Sequence, residues 1–149
     1  MILHFISTAN RFCYLHMIAV LSAVKYHKAT QVRLWLMEEP TGIYWEKVKP
    51  LVQICTFQEP NLPALVNKTA SFKATHLKDY MQWRILYDHG GLFLDLDTIS
   101  VSDSTHWEDP DVDLFVSLDI AEPANIEFPY NNAVAIANAG SPVTKLMKF

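Results

Sequence analysis

With 149 residues, half of them apolar, 19% charged and 12% aromatic, the chain has the composition of one globular domain with a real hydrophobic core, which argues against disorder. A net charge of −4 without any basic run gives a nucleic-acid partner no electrostatic footprint. Cys13 and Cys55 both lie in apolar segments without metal-type spacing, so buried, reduced thiols are expected.

Met1 to Ile6 is an apolar run without turn residues and reads as a short buried strand. Ser7-Thr8-Ala9-Asn10 supplies turn and capping chemistry before a helix from about Phe12 to His27. The apolar part of that helix, Phe12 to Val24, follows Arg11 like a targeting signal. His16 interrupts it, no small-residue cleavage site follows, and it is too short to span a bilayer. A buried amphipathic helix is therefore expected, and no membrane segment.

Gln31 to Met37 alternates Val32, Leu34 and Leu36 with Arg33 and Trp35 and predicts a second strand, broken by Glu39-Pro40-Thr41-Gly42. A short helix carries Tyr44, Trp45 and Val48 before Pro50, and Leu51 to Phe57 reads as a third strand. Glu59 to Pro63 is a loop, and the sequon Asn67-Lys68-Thr69 would matter only in a secretory compartment. Ser71 to His89 predicts a helix stopped by Gly90-Gly91. Leu92 to Ile99 reads as a strand, Ser102 to Pro110 as a loop, and Leu114 to Leu118 as another strand. Asn131 to Ala137 is a further apolar run, and Gly140-Ser141-Pro142 opens a last helix that reads as interrupted by the end of the chain. Strands alternating with helices predict a single α/β domain over residues 1–149 with a mostly parallel sheet, whose ligands bind at the carboxyl ends of the strands.

The most informative residues stand near such an end. On a strand, Asp95 and Asp97 would share a face, with Leu94 and Leu96 on the other. Two neighbouring carboxylates at the end of an apolar run repel each other and are costly to desolvate. A hard divalent cation with oxygen ligands offsets both costs, so metal-assisted chemistry is expected.

These carboxylates end a longer constellation: His76-Leu77-Lys78-Asp79, then Ile85-Leu86-Tyr87, Gly90-Gly91, and Phe93-Leu94-Asp95-Leu96-Asp97. In order and spacing it resembles the sugar-transferring enzymes with a "DXD" motif: the yeast-type α-mannosyltransferases, the α-1,4-galactosyl- and N-acetylglucosaminyltransferases and the clostridial glucosylating toxins. More thinly, Ile2–Ile6 resembles the first strand of their GT-A fold, under the nucleotide base. Leu21-Ser22-Ala23 falls in the helix that follows, and Asn131-Asn132-Ala133-Val134 resembles the Asn-containing strand beyond the donor site.

The resemblance implies a GT-A-type, Rossmann-like fold and transfer of a hexose from a UDP- or GDP-sugar to a glycan, lipid or protein acceptor, with Mn²⁺ or Mg²⁺ as cofactor. It implies retention of anomeric configuration. Asp97 and Asp95 would be the catalytic, metal-holding pair. Asp79, His76, Gln82, Gly90, Gly91 and Asn132 would contact the donor, the glycines by letting the backbone turn beneath it. Similar enzymes work in bacterial cytoplasm, or in the Golgi lumen behind an N-terminal anchor. Two departures stand out. The family usually carries Arg where this chain has Gln82, which can hydrogen-bond a hydroxyl but brings no charge. Family members also continue beyond the Asn131 region, so a fragment or reduced form is expected.

Two other readings accompany this one. Leu92 to Ile99 is also similar to the first motif of haloacid-dehalogenase-type phosphatases, with Asp95 as nucleophile and Asp97 as general acid/base. That motif normally opens its domain, and too little chain follows Asp97 for the later lysine and acidic pair. Gln82 and the short C-terminal part also admit a catalytically inactive relative that binds nucleotide sugars.

Overall fold

The computed structural model describes residues 1–61, 69–107, 109, 111–118 and 130–147, so the sequon asparagine, Asn67, lies outside the described residues. Among the described residues six strands and four α-helices follow one another: β1 (Ile2–Ser7), α1 (Tyr14–Tyr26), β2 (Gln31–Leu36), α2 (Ile43–Val48), β3 (Gln53–Thr56), α3 (Ala70–His89), β4 (Gly91–Leu94), β5 (Leu114–Leu118), β6 (Tyr130–Ala137) and α4 (Pro142–Met147). They form one mixed sheet in the order β3-β2-β1-β4-β6-β5. The pairs β3–β2, β2–β1 and β1–β4 are parallel, and β6 runs antiparallel to both β4 and β5. This is the expected α/β architecture.

Alternation along the strands fills a core on each face of the sheet. Leu3 and Phe5 of β1, Leu34 and Leu36 of β2, and Leu92 and Leu94 of β4 pack with Met17, Val20 and Ala23 of α1 and Trp45 and Val48 of α2. Ile6, Phe93, Ala135 and Ala137 face the other way, onto Leu77, Met81, Ile85 and Leu86 of α3. Each fully buried Leu or Phe contributes about 1.5–3 kcal/mol relative to exposure, so α3 is clamped to the sheet from Leu77 to Leu86.

Three expectations change. The fourth strand stops at Leu94, not Ile99. The Asp95 N–H still donates to Ala133 O at 2.8 Å, and Thr98 N then donates to Asp95 O at 3.0 Å and closes a turn. The two aspartates thus flank a turn and do not alternate along a strand. Leu96 is buried from inside that turn, which is why the apolar alternation outlives the strand. Secondly, the turn residues Ser7 to Asn10 do not cap α1; Cys13 does, and His16 Nδ1 accepts the Cys13 N–H at 3.4 Å. Thirdly, both thiols are free but only partly sheltered: Cys13, at that helix start, is exposed and Cys55 is half-buried.

The Gly90-Gly91 step has a structural cause. Gly90 ends α3 with φ +62°, donating to Leu86 O at 2.8 Å, and a Cβ there would come within 2.6 Å of Ala139 N. Gly91 has φ +105°, and a Cβ would fall onto the Ile2 carbonyl oxygen. Only glycine combines this backbone with that closeness of β4 to β1. No helix among the described residues is long and apolar enough to cross a membrane.

Candidate functional site: a carboxylate cleft at the ends of β1 and β4

Parallel strands β1 and β4 both end beside a cleft of about 320 Å³. Its wall carries Ser7 and Thr8 from the end of β1, His16 from the first turn of α1, Thr75 and Lys78 from α3, and Asp95 and Asp97 from the turn after β4. The turn thus still brings both aspartates to one cavity. The carboxyl ends of strands meet helix starts here, where α/β sheets bind ligands.

Lys78 dominates the electrostatics of this cleft. Its ammonium lies 3.0 Å from Asp95 Oδ1, 3.1 Å from Asp95 Oδ2 and 3.0 Å from Asp79 Oδ1. Asp79 Oδ1 also accepts from Asn132 Nδ2 at 2.7 Å. The backbone oxygen of Asn132 in turn accepts from Gln82 Nε2 at 2.7 Å. A chain of polar contacts therefore runs from Gln82 through Asn132, Asp79 and Lys78 to Asp95.

Burial and charge act together on the titration of the pair. Burial pushes the Asp95 carboxyl above the usual range, only partly offset by Lys78, with Asp97 and Asp79 adding to the rise. At Lys78 burial acts to lower the pKa, but Asp95 and Asp79 outweigh it and the net shift is upward. The two carboxylates that Lys78 touches favour its proton, while the neighbouring charges of Asp97 and Asp79 add to the effect of burial at Asp95. His16 is lowered by burial, partly countered by the charge of Asp97.

Other expected site residues fall elsewhere. Asp79 and Asn132 face a neighbouring apolar cavity with Trp83, on the β6 side of α3. Gln82 is fully buried beneath Asn132, and its Oε1 has no partner among the described residues. His76 is exposed and packs against Phe72 with the two rings tilted by 55°, centroids 3.9 Å apart. Two residues on a helix turn about 200°, which puts His76 opposite Lys78 and away from the cleft. Gly90 and Gly91 stand at the start of β4, while the carboxylates follow its end. They shape the sheet and do not line the cleft.

Lys78, His16, Ser7, Thr8 and Thr75 are the cleft residues the sequence reading missed. Lys78 stands next to Asp79 in the sequence, and nothing there ties it to Asp95, 17 residues on. As to metal ligands, carboxylate oxygens suit a hard cation. Among the described residues no three His, Cys, Asp or Glu side chains converge on one point. Asp97 is exposed and free of any ammonium or guanidinium partner among the described residues, whereas both oxygens of Asp95 are taken by Lys78. The residues fit a divalent ion at Asp97, and at Asp95 once Lys78 gives way.

No family model and no curated protein matches the chain. Solved structures do. The PaToxG glycosyltransferase superposes with a TM-score of 0.67 at 14% identity over 97% of this chain and 57% of its own. The galactosyltransferase LgtC, solved with donor and acceptor sugar analogues, gives 0.57 at 16% identity over 95% of this chain and 59% of its own. The chain thus spans a little under three fifths of either protein. With the mixed six-stranded sheet and its flanking helices, these matches show that the chain has the GT-A-type α/β fold of glycosyltransferases.

Proposed function

We propose that the chain is the nucleotide-sugar-binding part of a metal-dependent glycosyltransferase. The observation that carries this reading is the pair Asp95 and Asp97, brought by a turn to one cleft at the carboxyl ends of β1 and β4, in a glycosyltransferase fold. The donor is a UDP- or GDP-sugar whose diphosphate lies at the carboxylates. The acceptor is a glycan, lipid or protein, and by resemblance a hexose is transferred with retention.

Departure of a nucleoside diphosphate develops negative charge on phosphate oxygens, and Mn²⁺ or Mg²⁺ would stabilise that charge as a Lewis acid. Asp97 would hold the ion. Asp95 stands beside it with its backbone tied to β6, so its position is fixed before any ligand arrives. Asp79, braced by Asn132 and Lys78, is set to accept from a sugar or ribose hydroxyl. His16 has Nδ1 engaged by the Cys13 N–H, which leaves Nε2 to donate into the cleft. Ser7 and Thr8 close the floor.

Calorimetric binding of UDP- and GDP-sugars with and without Mn²⁺, together with donor hydrolysis, tests the reading. Metal-dependent binding that Asp97→Ala abolishes supports it. Binding without hydrolysis or transfer makes the chain an inactive relative. Hydrolysis of small phosphate esters that Asp95→Asn abolishes, with no sugar-nucleotide binding, overturns it.

A further inference from the structure

A lysine in an anion-binding cleft ordinarily offers its protons to the ligand. Lys78 does not. Its three N–H groups are matched by three carboxylate oxygens at 3.0–3.1 Å, two on Asp95 and one on Asp79. None is left for a phosphate. The pair is also largely shielded from solvent. Lys78 and Asp95 keep only 18% and 21% of their side-chain surface exposed. The ammonium lies 5.9 Å from the Phe93 ring centroid. Asp95 is pinned through its own backbone N–H to Ala133, and Asp79 through Asn132.

We propose that Lys78 is the resident counter-ion of this cleft, and that a divalent cation gains Asp95 as a ligand only by displacing its ammonium. Lys78 thereby sets the cation affinity of the site. The proposal rests on the metal-dependent reading above but concerns this chain's own lysine. A carboxylate oxygen has lone pairs enough for both partners, but a monovalent and a divalent cation sharing one carboxylate would repel strongly in a half-buried cleft. With Lys78 in place, a metal ion has Asp97 alone, and one carboxylate binds weakly. With Lys78 removed, Asp95 joins it. Because the lysine acts through Asp95, it is a positioning residue.

The test uses the whole chain and Mn²⁺ alone, with free Mn²⁺ followed by its electron paramagnetic resonance signal. Lys78→Met and the polar Lys78→Gln should each bind Mn²⁺ at least tenfold more tightly than wild type. In an Asp95→Asn background the same lysine changes should alter affinity less than threefold. Thermal unfolding of each variant checks that it is folded, and either lysine variant suffices. An equal gain with and without Asp95 overturns the proposal, because Lys78 would then act only as a diffuse charge. So does unchanged or absent binding across the set. The measurement needs no nucleotide, so the two readings fail separately. A lysine effect in a chain that binds no sugar nucleotide sinks the transferase alone. Metal-dependent donor binding with an unaltered Mn²⁺ affinity sinks the lysine proposal alone.

Discussion

Asn132 on β6 donates from Nδ2 to Asp79 Oδ1 on α3 at 2.7 Å, joining residues 53 apart in the chain. The last long strand thereby braces a carboxylate on the helix that borders the cleft. Asn132→Ala removes that donor and leaves Asp79 to Lys78. It should cost about 1 kcal/mol of stability in urea denaturation. Asn132→Asp sets a second carboxylate against the first and should cost more. The reverse order would show that Asp79 does not depend on Asn132.

Gln82 is fully buried, with Nε2 bonded to Asn132 O and Oε1 without a partner among the described residues. Gln82→Glu puts a carboxyl there that can donate only while protonated. Its folded pKa should rise above the unfolded value near 4.3. The variant should approach wild-type stability below about pH 4 and lose roughly 1–3 kcal/mol relative to it as the pH rises through the raised folded value. Denaturation midpoints compared at pH 4 and pH 8 measure this.

His4 is buried, with Nε2 donating to Gly90 O at 2.9 Å and Nδ1 accepting from Trp35 Nε1 at 3.1 Å. Burial first, and then the Arg33 and His89 charges, hold its pKa at about 4 instead of 6.5, against the pull of the Gly90 bond. The folded value is depressed, so the neutral ring stabilises the fold fully above pH 6.5 and loses that contribution as the pH falls towards 4. The loss should reach roughly 3 kcal/mol. His4→Gln, which keeps a donor and an acceptor, should flatten this part of the pH–stability curve. An unchanged slope would assign it to other groups.

Gly91→Ala should lower stability by about 2 kcal/mol or more, because the new Cβ meets the Ile2 carbonyl at a positive φ. Thermal unfolding against wild type gives the number. A loss below 0.5 kcal/mol would mean that β4 can move off β1.

Much of the fold was legible because local chemistry agreed with the tertiary outcome. α3 begins one residue before Ser71 because Thr69, just outside the expected span, accepts from Phe72 N, and it ends at the glycine that should end it. The alternation in Gln31 to Leu36 also survived, because one face of β2 is core. The end of β4 was misread because Leu96 reaches the core from a turn, which prolongs a strand-like pattern past the strand. His76 stands outside the cleft lining; motif order says nothing of helical phase. Lys78 was missed for a different reason. Beside Asp79 on a helix a lysine reads as a solvated pair, and only folding brings in Asp95, 17 residues on.

The tight step at Gly90-Gly91 divides the block from Gly90 to Asp97 into two parts that should fail in different ways. Changes at the glycines should deplete folded protein while leaving each surviving molecule competent. Changes at Asp95 or Asp97 should leave abundance nearly intact and silence every molecule alike. A mutational screen that scores yield and turnover separately should therefore split this short segment within β4. Restoring yield with a stabilising background should rescue the glycine variants and do nothing for the aspartate ones.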